Sequence, residues 1–547
     1  MYSKRFLLLV AAAMLPAVFL ASCSAKAEEP QDSGELKVLR VALPGSLSTI
    51  DINQEAGIFN YYISSLCQEG LVSISGEGAI EPALAESWED DDATVWKFKI
   101  REGAMFQDGT PVTADDVVYC IQRASDPVLS PGTSVYFPSY LKSVAKTGEY
   151  EITITLDGPH AGFLWSVSNT GGLFVTSKSF AEMAGNLGSP EDLVMGSGPY
   201  QVTEFRQGKH VILESVDTWW GGRPEIDIVR IDFITDEDVR LDAFKRGNID
   251  FTINVPAERV EEWAAVDGAV LKFMPDRSYQ GITFDASIPP FDDIHVRRAI
   301  AYAIDRQAIV DDILMGHAEV ATAISSPEQF AADMDRDEAA QKISEVFYYG
   351  YSMEKAKGEM ALSTVPKGFA AEISYPDSYP DVGRASRMIA EKLKQIGIEL
   401  NVREISLEQW LNDVGDGEQG MAWMIYVPTS AEPGEITSWL LDARGQSTNP
   451  ANWYDSEVAE LTARVGVAQS LEEQIELILE ANSIAQEAAI YVPVYWGRTA
   501  IAFGKGVSAD TYSPYTLLTK WALAFDVPAT PAPQSPYNDV RIPKLRN

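Results

Sequence analysis

The sequence predicts an α/β fold divided into at least two lobes. Strand-like stretches, in which apolar and polar residues alternate, are interspersed with stretches of helical periodicity, and this succession is typical of α/β proteins. The chain has 547 residues, whereas a single hydrophobic core stops growing at about 250–300 residues. With 46% hydrophobic residues and 12 tryptophans, the composition is sufficient for more than one core.

The chain begins with a pattern typical of an export signal. Lys4 and Arg5 precede an apolar run at residues 6–20, which is the order of charge and hydrophobicity in a secretory signal. That run is too short for a membrane-spanning helix, which needs about 20 apolar residues. The sequence Leu-Ala-Ser-Cys ending at Cys23 resembles a bacterial lipobox, so residues 1–22 are the predicted signal peptide and Cys23 the predicted lipidation site. The alternative is an ordinary cleaved signal with a chance cysteine.

The residues after the signal place the rest of the chain outside the cytoplasm. Residues 23–35, rich in Ala, Glu, Pro and Ser, form a predicted flexible tether from the membrane. No later stretch is long and apolar enough to cross a bilayer. We therefore expect an extracytoplasmic protein held by lipid at a bacterial membrane, either in the periplasmic space or on the outer face of the cell membrane.

The charge of the chain argues against one class of partner. The formal net charge is −37, and the acidic residues are spread along the whole sequence. Such a surface repels phosphate backbones, so we predict that the protein binds no nucleic acid.

The clearest local patterns lie near residue 100. In the segment 95–101, Trp96, Phe98 and Ile100 share one face and basic residues occupy the other, which predicts a half-buried strand. A turn follows, and Thr113 then stands where it can cap a helix that carries acidic residues in its first turn.

The remaining elements alternate in type. The first predicted strand is 36–43, and the loop after it begins at Pro44. The other predicted strands are 151–156, 226–233, 249–252, 398–402 and 490–496, and the predicted helices are 236–246, 296–304, 307–316, 385–396, 455–466 and 470–487. Residues 324–352 are polar and weakly patterned, which predicts a surface excursion. Pro493 predicts a sheet edge or a change of lobe.

Two cysteines remain once Cys23 carries lipid. Cys67 and Cys120 can form a disulfide in an exported protein. They can equally be two buried thiols, since Cys120 falls within an apolar helical pattern. The sequence leaves both alternatives open.

Several stretches resemble one family in the same order along the chain. They are 81–88, 98–106, 108–117, Gly196-Ser197-Gly198-Pro199-Tyr200, Trp219 to Pro224, Val296 to Ile300 with Ala303 to Arg306, and Gln395 to Leu400 followed by Trp423. Together they are similar to family 5 extracellular solute-binding proteins, the binding components of peptide, nickel and related ABC importers. Much of this pattern is scaffold, because glycines such as Gly103 and Gly109 suit turns.

The resemblance implies a two-lobed periplasmic-binding-protein-like (type II) fold with a hinge and a ligand cleft between the lobes. Residues 36–278 then form lobe I, 279–495 form lobe II, and 496–547 return to lobe I and end in a tail. The hinge is expected near 279–284 and again near 494–502. The protein would capture a small solute, an oligopeptide or an oligosaccharide, and deliver it to ABC permease subunits, as a monomer and without catalysis.

The resemblance also suggests ligand contacts in the second lobe. Peptide-binding relatives carry an aspartate three residues after the tryptophan of the strand at Trp423, and Tyr426 stands there in this chain. Glu432 or Glu435 could replace that carboxylate. Alternatively, Trp423 and Tyr426 suggest aromatic stacking against a sugar ring. The structural alternative is that both are packing residues.

Three further residues complete the predicted site. Arg384 lies near the position at which dipeptide-binding relatives hold an arginine for the peptide carboxylate, although a solvated charge at a helix start is the alternative. Ser46 and Ser48 lie in the loop after the first strand, which faces the cleft in the family.

Other classes of function receive less support. The chain lacks the Gly-x-Ser-x-Gly, His-Glu-x-x-His and phosphate-loop motifs, so a secreted hydrolase has no motif in its favour. Its four histidines are widely spaced, and we predict neither a cofactor nor a resident metal. A binding lobe that serves a sensor, or acts as an exported chaperone, would have the same fold.

Overall fold

The computed structural model describes residues 35–137, 141–160, 162–275, 277–330, 334–416, 420–430, 432–441, 449–468, 470–509 and 512–531. The predicted signal peptide, Cys23 and all but the last residue of the predicted tether lie outside the described residues. Within the described ranges, we find no helix that combines the length and the apolar character needed to span a bilayer.

The largest sheet has eight strands, seven from residues 38–275 and 495–503 and one, Ala318–Val320, from the middle of the chain. In sheet order they are Val270–Pro275, Tyr495–Phe503, Phe251–Thr252, Val38–Leu43, Ile228–Phe233, His210–Ser215 and Tyr200–Arg206, with Ala318–Val320 paired to Tyr495–Phe503. Val38–Leu43 runs parallel to both of its neighbours. Both of its faces are covered, as is usual for a parallel strand, and Leu39 and Ala42 on opposite faces are 0% exposed.

A four-stranded antiparallel sheet packs around the aromatic segment that the sequence singles out. Its strands, in sheet order, are Ala85–Asp91, Val95–Ile100, Glu151–Leu156 and Leu141–Gly148. Trp96, Phe98 and Ile100 are buried while Lys97 and Lys99 between them are exposed, so the predicted half-buried strand is confirmed. The helix Ala114–Ala124 begins where predicted, and the Asp116 carboxylate accepts a hydrogen bond from the Thr113 backbone N–H at 3.0 Å.

The middle of the chain forms a second set of sheets and helices. A three-stranded antiparallel sheet consists of Met421–Tyr426, Tyr279–Phe284 and Tyr491–Pro493, and a parallel pair consists of Phe369–Pro376 and Ile398–Ile405. The helices of this part are Ile294–Ala303, Met353–Leu362, Pro380–Leu393, Leu407–Asp416, Glu435–Leu441, Ser456–Val465 and Leu471–Glu487. The α/β class is therefore confirmed.

Two short crossings connect strands of the eight-stranded sheet directly with strands of the three-stranded sheet. Val270–Pro275 belongs to the first sheet and the next strand, Tyr279–Phe284, to the second. On the return, Tyr491–Pro493 belongs to the three-stranded sheet, and Tyr495–Phe503 joins the eight-stranded sheet after the single residue Val494. Pro493 thus marks the change of sheet, as its sequence position predicts.

One prediction from weak patterning is wrong. The segment 324–352 is not only a surface excursion, because it contains the helices Pro327–Phe330 and Arg336–Ile343. Phe330, Ala339 and Ile343 are at most 1% exposed and pack against the long helix region of the middle part. These two helices contain few apolar residues. The polar residues between the apolar ones hide the helical periodicity in the sequence.

The remaining elements are short or lie at the edges of the sheets described above. The helices are Ile58–Cys67, Phe163–Ser166, Lys178–Met183, Glu237–Lys245, Val260–Ala264 and Arg306–Ala308, and the strands are Val72–Ile74, Ile80–Pro82, Ser508–Ala509 and Phe525–Asp526. Ile58–Cys67 is almost entirely buried, because it packs under the eight-stranded sheet and against the chain near its C-terminal end.

The structure resolves the alternatives for the two cysteines. Cys67 and Cys120 are both free and buried, so they form no disulfide with one another. Burial raises the pKa of each thiol to about 12, which keeps both protonated at neutral pH. The backbone carbonyl of Cys67 also explains Gly196, since a Cβ atom at that glycine would lie 1.9 Å from the carbonyl oxygen.

Candidate ligand-binding site

A cavity lies beside the two chain crossings. Its volume is about 80 Å³, smaller than the engineered cavity of about 150 Å³ that holds benzene in another protein. This volume is too small for a whole oligopeptide. The lining comes from the buried helix, the first crossing, the strand Tyr495–Phe503, the loop after Met421–Tyr426 and the C-terminal segment, and includes Phe59, Tyr62, Asn254, Arg277, Tyr379, Pro428, Thr499, Tyr512 and Ser513.

Arg277 is the charged residue in this lining. It lies in the first crossing, after Val270–Pro275, and is 5% exposed. Its guanidinium donates one hydrogen bond to the backbone oxygen of Ser430 at 2.6 Å and another to that of Pro428 at 3.1 Å. The guanidinium carbon lies 3.9 Å from the centre of the Tyr515 ring, a cation–π contact.

The other walls are aromatic and weakly polar. Tyr62, Tyr379 and Tyr512 contribute rings, and burial raises the pKa of Tyr512, so its hydroxyl stays protonated at neutral pH. Thr499 and Ser513 bring hydroxyl groups to the same cavity. This combination of apolar surface with a few polar groups is typical of small-molecule sites.

Opposite parts of the chain also meet beyond the cavity. The Tyr136 hydroxyl lies 3.5 Å from the hydroxyl of Thr429, and burial raises the pKa of Tyr136 to about 12. The loop that carries Thr429 is held by Glu435, whose carboxylate accepts hydrogen bonds from the backbone N–H groups of Thr429 and Ser430, both at 2.8 Å. Arg277 and Glu435 thus hold the same loop from two sides.

The structure places Trp423 and Tyr426 in packed surroundings. Trp423 is 0% exposed, and its indole N–H donates to the Gln280 side-chain oxygen at 3.2 Å. Tyr426 is 9% exposed, its hydroxyl donates to Glu435 at 3.0 Å, and its ring centre lies 4.6 Å from that of Trp439. These contacts favour the packing alternative for both residues in this conformation.

Arg384 is already paired with two carboxylates. Its guanidinium contacts Glu258 at 2.8 Å and also donates to Asp381. Both Arg384 and Asp381 belong to the helix Pro380–Leu393, whereas Glu258 follows the strand Phe251–Thr252 of the eight-stranded sheet. Arg384 therefore connects the two parts of the chain, and its charge is matched without a ligand.

The two predicted serines lie apart from the cavity lining. Ser48 donates through its hydroxyl and its backbone N–H to the carboxylate of Glu55. Ser46 is partly buried in the same loop. Neither these serines nor Trp423, Tyr426, Arg384 or Glu432 is among the described residues that line the cavity, so the six predicted ligand contacts stay predictions.

Glu432 is a partly buried carboxyl group with an unusual proton affinity. Burial raises its pKa to about 7, although hydrogen bonds to the charged form, including that from the Gln474 side chain at 2.6 Å, act in the opposite direction. The folded state therefore binds a proton more tightly than the unfolded state does. The stability from this protonation is present below pH 4.5 and is lost as the pH rises through 7.

This titration gives a measurable pH dependence. When the pH is raised from 5 to 8, we expect the free energy of unfolding to fall less in Glu432→Gln than in the wild type. The difference should be about 1–2 kcal/mol after allowance for partial exposure. Urea-induced unfolding at the two pH values measures the difference. Glu81→Gln, at an exposed strand position, is the control and should follow the wild type. Parallel pH profiles for Glu432→Gln and the wild type would contradict the assignment.

Arg277 is the residue that the sequence analysis missed. It follows Asp276 in the short segment between two strands, and its partners Pro428 and Ser430 are about 150 positions away in the chain. The sequence signal that could have identified Arg277 is its position. It is a charged residue directly after a strand, and the chain passes from one sheet to the other at that point.

The sheet order, the two crossings and the adjacent cavity define the class of protein. This is the type II periplasmic-binding-protein fold, in which a solute is bound beside strands that connect two α/β parts. The family model described as "Bacterial extracellular solute-binding proteins, family 5 Middle" matches residues 79–448, more than half of the sequence. The chain belongs to this family, and the predicted resemblance is confirmed.

Individual relatives are distant but cover most of the chain. A probable di/tripeptide-binding protein 5 of Pseudomonas aeruginosa is 25% identical, over 77% of this chain and 82% of its own length. The solved structure of AgaA of A. tumefaciens R10 in complex with agropinic acid is 23% identical, covers 90% of this chain and 99% of that one, and has a TM-score of 0.79.

A second structural neighbour has a similar fit. DppA of Helicobacter pylori in complex with the peptide STSA is 22% identical, covers 90% of this chain and 98% of that one, and also has a TM-score of 0.79. The family consists of extracytoplasmic solute-binding proteins and not of enzymes. The fold and the class of protein are thereby established.

Proposed function

We propose that this protein is the lipid-anchored substrate-binding component of an ABC importer and that it carries a peptide or a related small solute. The observation that carries the proposal is the cavity, whose walls come from both parts of the chain, including the first crossing and the strand Tyr495–Phe503 that follows the second. A solute bound there contacts both parts at once. Its binding would therefore favour a closed arrangement that a permease can distinguish from an open one.

In this proposal the hinge follows the two crossings. Residues 36–278 and the segment after 495 act as lobe I, and residues 279–495 act as lobe II, with bending near residues 277–279 and Val494. The Tyr136–Thr429 contact and the Arg384–Glu258 ion pair connect the two lobes. Opening would separate both pairs.

Peptides are the preferred cargo over oligosaccharides. The sugar alternative depends on exposed rings at Trp423 and Tyr426, and both rings are buried. One of the similar proteins is named for di- and tripeptides, a second was solved with a peptide, and a third was solved with agropinic acid. The three tyrosine rings of the cavity could still contact a sugar, so oligosaccharides belong in the test.

A binding assay that also follows the fate of the ligand tests this function. We expect di- to pentapeptides to raise the melting temperature, by the equivalent of about 2.7 kcal/mol at one hundred times the dissociation constant. Mass spectrometry of the recovered peptides should find them unchanged. Stabilisation by gluco- or xylo-oligosaccharides alone would make the peptide assignment wrong, and turnover of any bound compound would contradict a transport role.

A further inference from the structure

We propose that the segments 254–258 and 379–384 form a latch that holds the two lobes together without ligand and slows the release of the solute. This inference rests on the proposed function and specifies how closure is regulated. Segment 254–258 follows the strand Phe251–Thr252 of lobe I, and segment 379–384 contains the start of the helix Pro380–Leu393 of lobe II. Contacts between the two segments therefore connect the lobes.

Arg384 lies between two carboxylates that would otherwise repel each other. It contacts Glu258 of lobe I at 2.8 Å and donates a hydrogen bond to Asp381 of its own helix. Burial raises the pKa of the Asp381 carboxyl, Arg384 opposes this shift by favouring the charged form, and the charge of Glu258 adds to the shift. The arginine thus turns a repulsive contact between the lobes into an attractive one.

Opening the lobes would separate Glu258 from Arg384. The next cation along lobe I is Arg259, and it already contacts three carboxylates of that lobe. These contacts are to Asp238 at 2.7 Å, Glu262 at 2.9 Å and Glu237 at 3.7 Å. Arg384 would keep Asp381, because both lie in one helix. The pair that opening breaks is therefore the one between the lobes.

The latch continues directly into the cavity wall. Asn254 and Tyr379 line the cavity, and Glu258 and Asp381 follow them four and two positions further along the chain. The lobe I segment is held in place by the buried Arg240, which donates to the backbone oxygen of Asn254 at 3.3 Å. A solute that contacts both wall residues would hold the two segments together. Ligand and latch would then favour the same closed arrangement.

The test measures the distance between the lobes in the ligand-free mature chain. Spin labels are attached to cysteines introduced at exposed Met183 of lobe I and exposed Leu362 of lobe II, and double electron–electron resonance gives the populations of short and long distances. We expect the wild type to show both populations. Arg384→Met should shift their ratio about tenfold toward the long distance, because it removes an attraction and leaves two carboxylates facing each other.

A double variant tests whether the three charges act together. Glu258→Gln alone should shift the ratio about two- to fivefold toward the long distance, the range for a partly exposed ion pair. Arg384→Met combined with Glu258→Gln also removes the repulsion, so it should open less than Arg384→Met alone, whereas independent effects would add. Arg246→Met is the matched control, because it breaks an ion pair with Asp242 at 2.8 Å within lobe I. This control should keep the wild-type ratio.

Three results would make the inference wrong. They are a ligand-free wild type with only the long distance, a folded Arg384→Met with the wild-type ratio, and a double variant that opens further than Arg384→Met. If Arg384→Met does not fold, Glu258→Gln decides instead, because its side chain is partly exposed and an unchanged ratio in this variant would contradict the latch.

The effect on release is measured separately. For the di- to pentapeptide that stabilises the protein most, the dissociation rate in stopped-flow tryptophan fluorescence should rise about fivefold or more in Arg384→Met. An unchanged rate would contradict a role of the latch in release. If neither peptides nor oligosaccharides bind, the proposed function is wrong and the role in release fails with it, whereas the ligand-free distances still decide whether the latch closes the lobes.

Discussion

Replacing Trp423 by alanine should lower the free energy of unfolding by about 3–5 kcal/mol, the range for removing a large aromatic side chain from a core. Trp423 is fully buried in the strand Met421–Tyr426, its ring lies 6.0 Å from that of Tyr495, and its N–H group bonds to Gln280. The substitution leaves a cavity between the three-stranded sheet and its neighbours. It also leaves the Gln280 oxygen without this donor.

Chemical denaturation followed by circular dichroism measures this effect. Trp423→Phe should cost less, because the ring volume is partly kept. Tyr454→Ala, at a side chain that is 69% exposed, is the control and should change stability by less than about 0.5 kcal/mol. If Trp423→Ala were as stable as the wild type but had lost ligand affinity, Trp423 would be a ligand contact and not a core residue.

Replacing Cys23 by serine should release the protein from the membrane almost completely. In the proposed function the thiol of Cys23 carries the lipid, and a serine cannot be lipidated in the same way. Acyl chains contribute about 0.8 kcal/mol per buried methylene group, so their loss removes the whole affinity for the bilayer. The rest of the described chain offers no membrane-spanning helix to replace them.

Cell fractionation with metabolic labelling by a fatty acid measures this change. The wild type should be labelled and should sediment with membranes, whereas Cys23→Ser should be unlabelled and soluble. Cys67→Ala is the matched control, because this thiol is buried inside the fold and should not affect labelling. A Cys23→Ser variant that still carries the fatty-acid label would contradict lipidation at this residue.

Much of the fold could be predicted because its signals are local. The strand Val95–Ile100 alternates side chains within six residues, and the helix Ala114–Ala124 has acidic residues at its start and an apolar face. Such patterns depend on neighbours that are close in sequence. The segment 324–352 could not be predicted in this way, because Phe330 and Ile343 are buried by contacts with helices far along the chain.

The candidate site was harder to predict for the same physical reason. Trp423 and Tyr426 have the chemistry of ligand contacts, but burial depends on which elements cover them, and the sequence of one strand does not specify its cover. Arg384 has the chemistry of a carboxylate receptor, yet Glu258 already provides its counter-charge from a distant segment. Arg277 could not be identified as a cavity residue from the sequence, because its hydrogen-bond partners Pro428 and Ser430 lie about 150 positions further along the chain.

The two protected sulfurs give this protein an experimental advantage. Because Cys67 and Cys120 are buried and stay protonated, thiol-reactive dyes should not react with them in the native protein. A soluble form without residue 23 would then react only at cysteines introduced on purpose, for example at exposed Val128 and Tyr454. A donor and an acceptor fluorophore attached there would report, in single-molecule energy-transfer measurements, how often the ligand-free protein closes.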